Sequence, residues 1–143
     1  MESRAKAQQR VAQLAAKDRF ARAMGVTLVE GGPGFAKVAM TVGAQHLNFN
    51  GTCHGGAIFA LADAAFGLAS NSHGAVAAGI DAHITYQAAA NPGDELTATA
   101  VEVSRSRRLA VYRIDVARAD GAVISSFTGT VYITTQHHDS PPG

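Results

Sequence analysis

Residues 54–71 read HGGAIFALADAAFGLASN, and from Ala57 to Ala69 the only polar side chain is Asp63. The stretch holds good helix formers and no proline. A helix that is apolar on every side is normally buried on every side. A bilayer span needs roughly 20 apolar residues, and this run is shorter and flanked by polar residues, which predicts a core helix. What packs around it must come from the rest of the chain. Downstream, residues 78–88, 95–104, 109–119 and 122–135 have strand character. Asn91-Pro92-Gly93-Asp94 and Asp120-Gly121 supply turns between them. Short connections predict that each of these strands pairs antiparallel with the next. Upstream, Val26–Glu30 and Phe35–Val42 read as a hairpin around Gly31–Gly34, and residues 43–53 as a loop feeding the helix. An α+β fold follows, with a curved antiparallel sheet of about five to six strands wrapped round a long central helix.

The ends differ from this middle. Residues 2–23 read as a helix whose apolar positions (Val11, Leu14, Phe20, Met24) are sparse, which predicts a surface location. Residues 136–143 are polar with a Pro pair, which predicts a disordered, dispensable tail. The organisation expected is an N-terminal helical segment at 1–24, one domain at 25–135 and the tail.

Composition narrows the function classes. A chain of 143 residues suits one core. Twelve basic and 11 acidic residues leave a net charge of +1, which argues against a dedicated nucleic-acid binder. One cysteine excludes an intrachain disulfide framework and a Cys-rich zinc site, and no spacing suggests another metal. The first residues lack an apolar signal core. The expectation is a cytoplasmic protein with no membrane segment.

Asp63 asks for an explanation. A buried carboxylate without partners is costly, or its pKa rises. Either its face of the helix meets solvent, or it bonds to nearby backbone, or it is a base or nucleophile in a perturbed environment. Cys53-His54-Gly55-Gly56 opens the same helix. Two glycines leave helix-terminal N–H groups unshielded, as an oxyanion hole requires, although they also simply permit a tight turn. Gly55 and Asp63 stand eight residues apart, about 12 Å along a helix. One chain cannot bring both to one carbon, whereas two antiparallel helices from two subunits can. The neighbouring Cys53 thiol is better read as a small core hydrophobe than as a nucleophile.

The segment from His54 to Phe66 resembles the central-helix motif of hotdog-fold acyl-CoA thioesterases, in particular the PaaI-type branch linked to phenylacetate catabolism. The likeness extends to Leu47-Asn48, Ala69–Ser72, Gly93–Ala98 and Phe127–Thr130, and spans roughly residues 18–134. The resemblance implies a sheet wrapped round the helix, homodimers with shared active sites and a dimer-of-dimers tetramer. It implies that Asp63 is the catalytic carboxylate and that the Gly55 N–H polarises the thioester carbonyl. It places Asn48 where substrate or water is positioned, and His54 beside the carbonyl; capping the helix or bracing the loop is the other role open to His54. Gly56 falls among the substrate-binding positions. CoA contacts are implied near Ser104-Arg105-Ser106-Arg107-Arg108, where arginine suits phosphate, although a solvated hairpin end would look the same. Ala64 and Gly67 depart from relatives that carry hydroxyl residues there, which affects how water would be held. The substrate implied is a small, aromatic acyl-CoA of phenylacetyl or hydroxyphenylacetyl type, with no cofactor beyond the CoA of the substrate. Phe59 and Phe66 permit an aryl pocket. A non-catalytic acyl-CoA binder and a hotdog hydratase or dehydratase are the alternatives. Asp63, Gly55 and Asn48 together speak against the first, and the lack of an acidic residue before His54 against the second.

Overall fold

The computed structural model describes residues 2–139. The chain runs α1 (Arg4–Lys17), α2 (Arg19–Ala23), β1 (Thr27–Gly32), β2 (Phe35–Thr41), a short 3-10 turn (Ala44–His46), α3 (Gly55–Ser70), β3 (Ala75–Tyr86), β4 (Glu95–Arg105), β5 (Leu109–Arg118) and β6 (Val123–His137). Six strands form one antiparallel sheet in the order β1-β2-β4-β5-β6-β3, with α3 packed across it. This is the hotdog architecture expected.

The β1–β2, β4–β5 and β5–β6 neighbours pair as hairpins, as the turn signals predict. The expected β3–β4 pairing does not form. β4 lies between β2 and β5, and β3 crosses to the far edge beside β6. Residues 91–94 instead tie to the end of β2, where the Val42 N–H donates to the Asp94 carbonyl and the Gly93 N–H to the Val42 carbonyl (2.9 and 2.8 Å). A tight turn fixes a change of direction, but not which strand is met afterwards.

The core lies between α3 and the sheet. Leu61, Ala62, Ala65 and Ala69 are fully buried, as are Leu96, Tyr112, Ile114, Val116, Ile124 and Phe127 beneath them. Phe66 packs against Phe127 and Tyr112, with ring centroids 5.5 and 6.0 Å apart. Gly129 makes this approach possible: a Cβ there would stand 2.7–2.9 Å from the Phe66 ring.

Three expectations need correction. The N-terminal helix is broken at Asp18, which ends α1 and caps α2 by accepting from the Ala21 N–H. It is also no mere surface helix: Val11 is fully buried against β1 at Gly31, and Arg10 is only 3% exposed. Four apolar positions are too few to predict this, because Arg10 is buried through its partners. The tail is built in as far as Asp139: β6 runs to His137, and the His138 N–H donates to the Gly74 carbonyl (2.9 Å). Residues 140–143 lie outside the described residues. Finally, α3 is not buried all round. Ala60, Ala64, Gly67 and Asn71 are half-buried and Asp63 is exposed, so one face of the helix stays open in the chain. Small side chains leave no polar stripe to mark that face.

β3 is also open. Residues 79–83 are all exposed, including Ile80, and the strand hydrogen-bonds on one side only, to β6. The strand at the other edge of the sheet, β1, packs against α1, with Val11 seated on Gly31. Among the described residues no helix is long and apolar enough to cross a membrane.

Candidate active site

The first turn of α3 is built around His54. Its Nδ1 accepts from the Gly56 N–H (2.7 Å), making it the N-cap of the helix. Of the two roles left open for His54, the protomer displays the cap. Gly56 is required by the same geometry, since a Cβ there would stand 2.9 Å from Nδ1. With Nδ1 accepting, a neutral His54 carries its proton on Nε2. The Gly55 N–H, at the first helical position, has no hydrogen-bond partner among the described residues. The Tyr86 hydroxyl donates to the Gly55 carbonyl (3.2 Å) and steadies that peptide from the sheet side. A free, oriented N–H at the positive end of a 16-residue helix is suited to a developing oxyanion.

The loop before it is held by Asn48. Its Oδ1 accepts from the Asn50 and Thr52 N–H groups (2.8 and 3.2 Å), and its Nδ2 donates to Thr52 Oγ1 (3.0 Å). In the protomer Asn48 therefore shapes the loop that delivers Gly55, with one amide hydrogen unspent. The buried His46 does similar work, accepting from the Gly43 N–H and bonding the Met24 carbonyl. Cys53 is buried, and burial pushes its thiol pKa up, the opposite of what a thiolate nucleophile needs.

Asp63 lines a cavity of about 620 Å³. Its floor is the open face of α3 from Ala60 to Asn71, its roof Leu14, Asp18, Phe20 and Ala21 of the N-terminal helices, and its far end Val76, Ala77 and His138. The Asp63 carboxylate has no hydrogen bond or ion pair among the described residues. Partial burial against this lining pushes its pKa above the ordinary carboxylate value, and the negative charge of Asp18 adds to the effect. Phe59 and Phe66, expected around an aryl pocket, point instead into the sheet, where both meet Phe127. The aromatic wall comes from Phe20, a residue of the N-terminal segment that the sequence does not mark as part of the site.

The structure does not bring the expected site residues together within one chain. Gly55 and Asp63 stay eight residues apart on an unbroken helix, about 12 Å. The arginines are farther off. Ser106 closes the β4–β5 turn, its N–H donating to the Leu109 carbonyl (2.7 Å). Ser104, Arg105 and Arg107 are exposed, and Arg108 Nη1 donates to the Ile133 carbonyl (3.3 Å). Leu109 pairs with Tyr132, and Tyr132 with Ala78, so the turn sits beside the start of β3. Gly55 sits beside Tyr86 at the other end of that strand. Among the described residues, no group of three or more metal-ligating side chains exists.

Residues 50–125 match the Thioesterase superfamily. The chain belongs to that superfamily. It is 38% identical over 112 residues to the acyl-coenzyme A thioesterase PaaI of Escherichia coli K12, covering 78% of this chain and 80% of that one. The structure of the E. coli PaaI protein from the phenylacetic acid degradation operon superposes with a TM-score of 0.92 at 34% identity, over 95% of this chain and 99% of that one. A mutant of the phenylacetic acid degradation protein PaaI from Thermus thermophilus matches with a TM-score of 0.79 at 43% identity, over 82% and 100%. A thioesterase protein from Streptococcus pneumoniae TIGR4, solved with coenzyme A, matches with a TM-score of 0.75 at 28% identity, over 78% and 90%. The thioesterase is thus an acyl-CoA-type thioester hydrolase of the PaaI kind, on the hotdog fold.

Proposed function

We propose that the protein hydrolyses small, aromatic acyl-CoA thioesters at sites shared between two subunits. The observation that carries this is the unpartnered Asp63 carboxylate lining a cavity, combined with a free Gly55 N–H that the same chain cannot bring to it. A thioester is already activated, so fixed charge and one carboxylate are enough. The carbonyl oxygen would lie against the Gly55 N–H, and the helix terminus would stabilise the negative charge that develops there. Asp63 either takes a proton from an attacking water or attacks the carbonyl carbon itself, with water then cleaving the mixed anhydride. In both routes the C–S bond breaks, CoA leaves as thiol after gaining a proton, and the acid is released. The acyl group would occupy the cavity under Leu14 and Phe20, where an aromatic ring finds an apolar floor of Ala60, Ala64 and Gly67.

The dimer is supported by what one chain leaves open. A strand of 12 residues with an unpaired edge invites a second strand. Antiparallel pairing of β3 with its copy would set the start of one β3 beside the end of the other. The arginine turn of one chain would then approach the Gly55 end of its partner, where the CoA phosphates would lie. The open face of α3 would be covered by the second copy. A tetramer built from two such dimers is the assembly that the family resemblance implies.

Thiol release measured across a panel of acyl-CoAs tests the activity. Phenylacetyl-CoA and hydroxyphenylacetyl-CoA should be cleaved with a higher kcat/KM than acetyl-CoA. A preference for aliphatic chains over aryl ones would refute the aromatic assignment, and no release from any substrate would refute the activity.

A further inference from the structure

The cavity beside Asp63 is lined at its far end by a residue from the last turn of the described chain. His138 stands at the end of the α3 face, and three contacts hold it there. Its N–H donates to the Gly74 carbonyl (2.9 Å), and its Nε2 bonds Asn71 Oδ1 (2.7 Å). The next residue, Asp139, bonds Arg10 through both carboxylate oxygens (3.2 and 2.5 Å).

Each partner is itself locked. Asn71 Oδ1 also accepts from the Ala77 N–H (2.9 Å), and Asn71 Nδ2 donates to the Gly67 and Ala77 carbonyls (2.8 and 3.1 Å). Oδ1 is therefore an acceptor, and the His138 proton must sit on Nε2. Arg10 is buried and bidentate to Glu2 (2.7 Å to each oxygen), and it donates to the Ser72 carbonyl (2.6 Å). One guanidinium thus ties the start of α1, the end of α3 and the tail into one knot. Burial and the charge of Arg10 lower the His138 pKa, which favours the uncharged ring at the end of the cavity.

We propose that His138 is the specificity-determining end wall of the acyl cavity, and that the Arg10–Asp139 latch holds it in place. The inference rests on the reading above that the acyl group enters this cavity at Asp63. Asn71, the wall's anchor, lies eight residues beyond Asp63, about 12 Å along α3. An extended chain of ~1.52 Å bonds advances ~1.25 Å per carbon, so roughly nine carbons reach the wall. A phenylacetyl group fits within that distance, and a twelve-carbon chain does not.

The test uses full-length His138→Ala and His138→Trp beside the native chain, with two readouts. In the first, kcat/KM is measured for acyl-CoAs of two to twelve carbons. His138→Ala should raise kcat/KM for dodecanoyl-CoA about fiftyfold, the effect of the three carbons beyond the ninth regaining apolar contact, and leave acetyl-CoA unchanged. His138→Trp should shift the optimum to shorter chains. In the second, binding of S-alkyl-CoA thioethers, which cannot be hydrolysed, is followed by calorimetry over the same lengths. Affinity should stop rising near about nine carbons in the native protein and continue to rise in His138→Ala. If the native protein cleaves no acyl-CoA, the proposed function fails and the thioether series still decides the wall. The same length profile in all three proteins, or no thioether binding at all, would overturn the inference.

Discussion

Sharing of the site between subunits can be tested by complementation between two inactive variants. The first is Asp63→Ala, which removes the carboxylate. The second is Gly55→Val, which crowds the N–H with a β-branched side chain. The second variant should still fold: a Cβ at position 55 stands 3.4–3.5 Å from the Tyr86 ring, an ordinary contact. Neither homodimer has an intact site. In a heterodimer, one site carries both substitutions, and the other joins the intact Asp63 of the second variant to the intact Gly55 of the first. Random exchange of equal amounts makes about half of the dimers mixed, each with one good site of two, so about a quarter of wild-type activity per total site returns. The geometry makes the result decisive, because α3 is unbroken from Gly55 to Ser70 and keeps the two groups about 12 Å apart. Thiol release is recorded before and after denaturation and refolding together, with mixed dimers verified by differently tagged subunits. If verified heterodimers stay inactive, the site lies within one chain and the inference from spacing is wrong.

The remaining predictions concern single elements. Arg105→Ala, Arg107→Ala and Arg108→Ala combined should raise KM for CoA thioesters while sparing a short thioester without the nucleotide; equal loss on both would mean a folding defect. His54→Ala should remove the α3 cap at a cost of about 1 kcal/mol, read as a lower Tm, and His54→Ser should restore the Tm. Asp63→Asn should cut turnover by orders of magnitude yet raise Tm at neutral pH. The sign follows from its raised pKa: the folded state holds that proton more tightly than the unfolded chain, so stability is lost as pH rises through the folded value. The gain in the variant should shrink as pH falls towards the ordinary carboxylate pKa, and a variant less stable than wild type at pH 7 would contradict it.

The elements are legible in the sequence because their signals are local. The helix read at 54–71 is found at Gly55–Ser70, and the strand read at 95–104 at Glu95–Arg105. Strand order is not legible, since residues 91–94 look like a hairpin turn whether β4 meets β3 or crosses to β2. The order of the tail is hidden because it comes from long-range polar contacts, His138 to Asn71 and Asp139 to Arg10, that no hydrophobic pattern announces. Asp63 stands out as anomalous in the sequence, but for a burial it does not have in one protomer. Its neighbours on the open face are Ala60, Ala64 and Gly67, and small residues look the same whether they face a sheet, a cavity or a partner. Phe20 gives no sign of its place in the site, because an exposed aromatic on a polar helix has no periodic signal.

Four features of the single chain are each unsatisfactory alone. An unpaired 12-residue edge strand exposes backbone donors and acceptors. An open stripe of small apolar residues runs along the central helix. A free N–H and an unpartnered carboxylate share a helix but not a site. A cluster of arginines stands at the end of β3 opposite Gly55. Extending the sheet through β1 would relieve none of these, because β1 lies at the opposite edge from β3. A two-fold axis near the middle of β3, as proposed above, would relieve all four at once: the edges would pair, the helix faces would meet cover, each Gly55 would gain the other chain's Asp63, and each arginine turn would move towards the other chain's helix start. The features lie on three separate elements: β3, α3 and the β4–β5 turn. That one symmetry operation resolves all of them is the strongest physical argument that the working unit is a dimer with its chemistry at the seam.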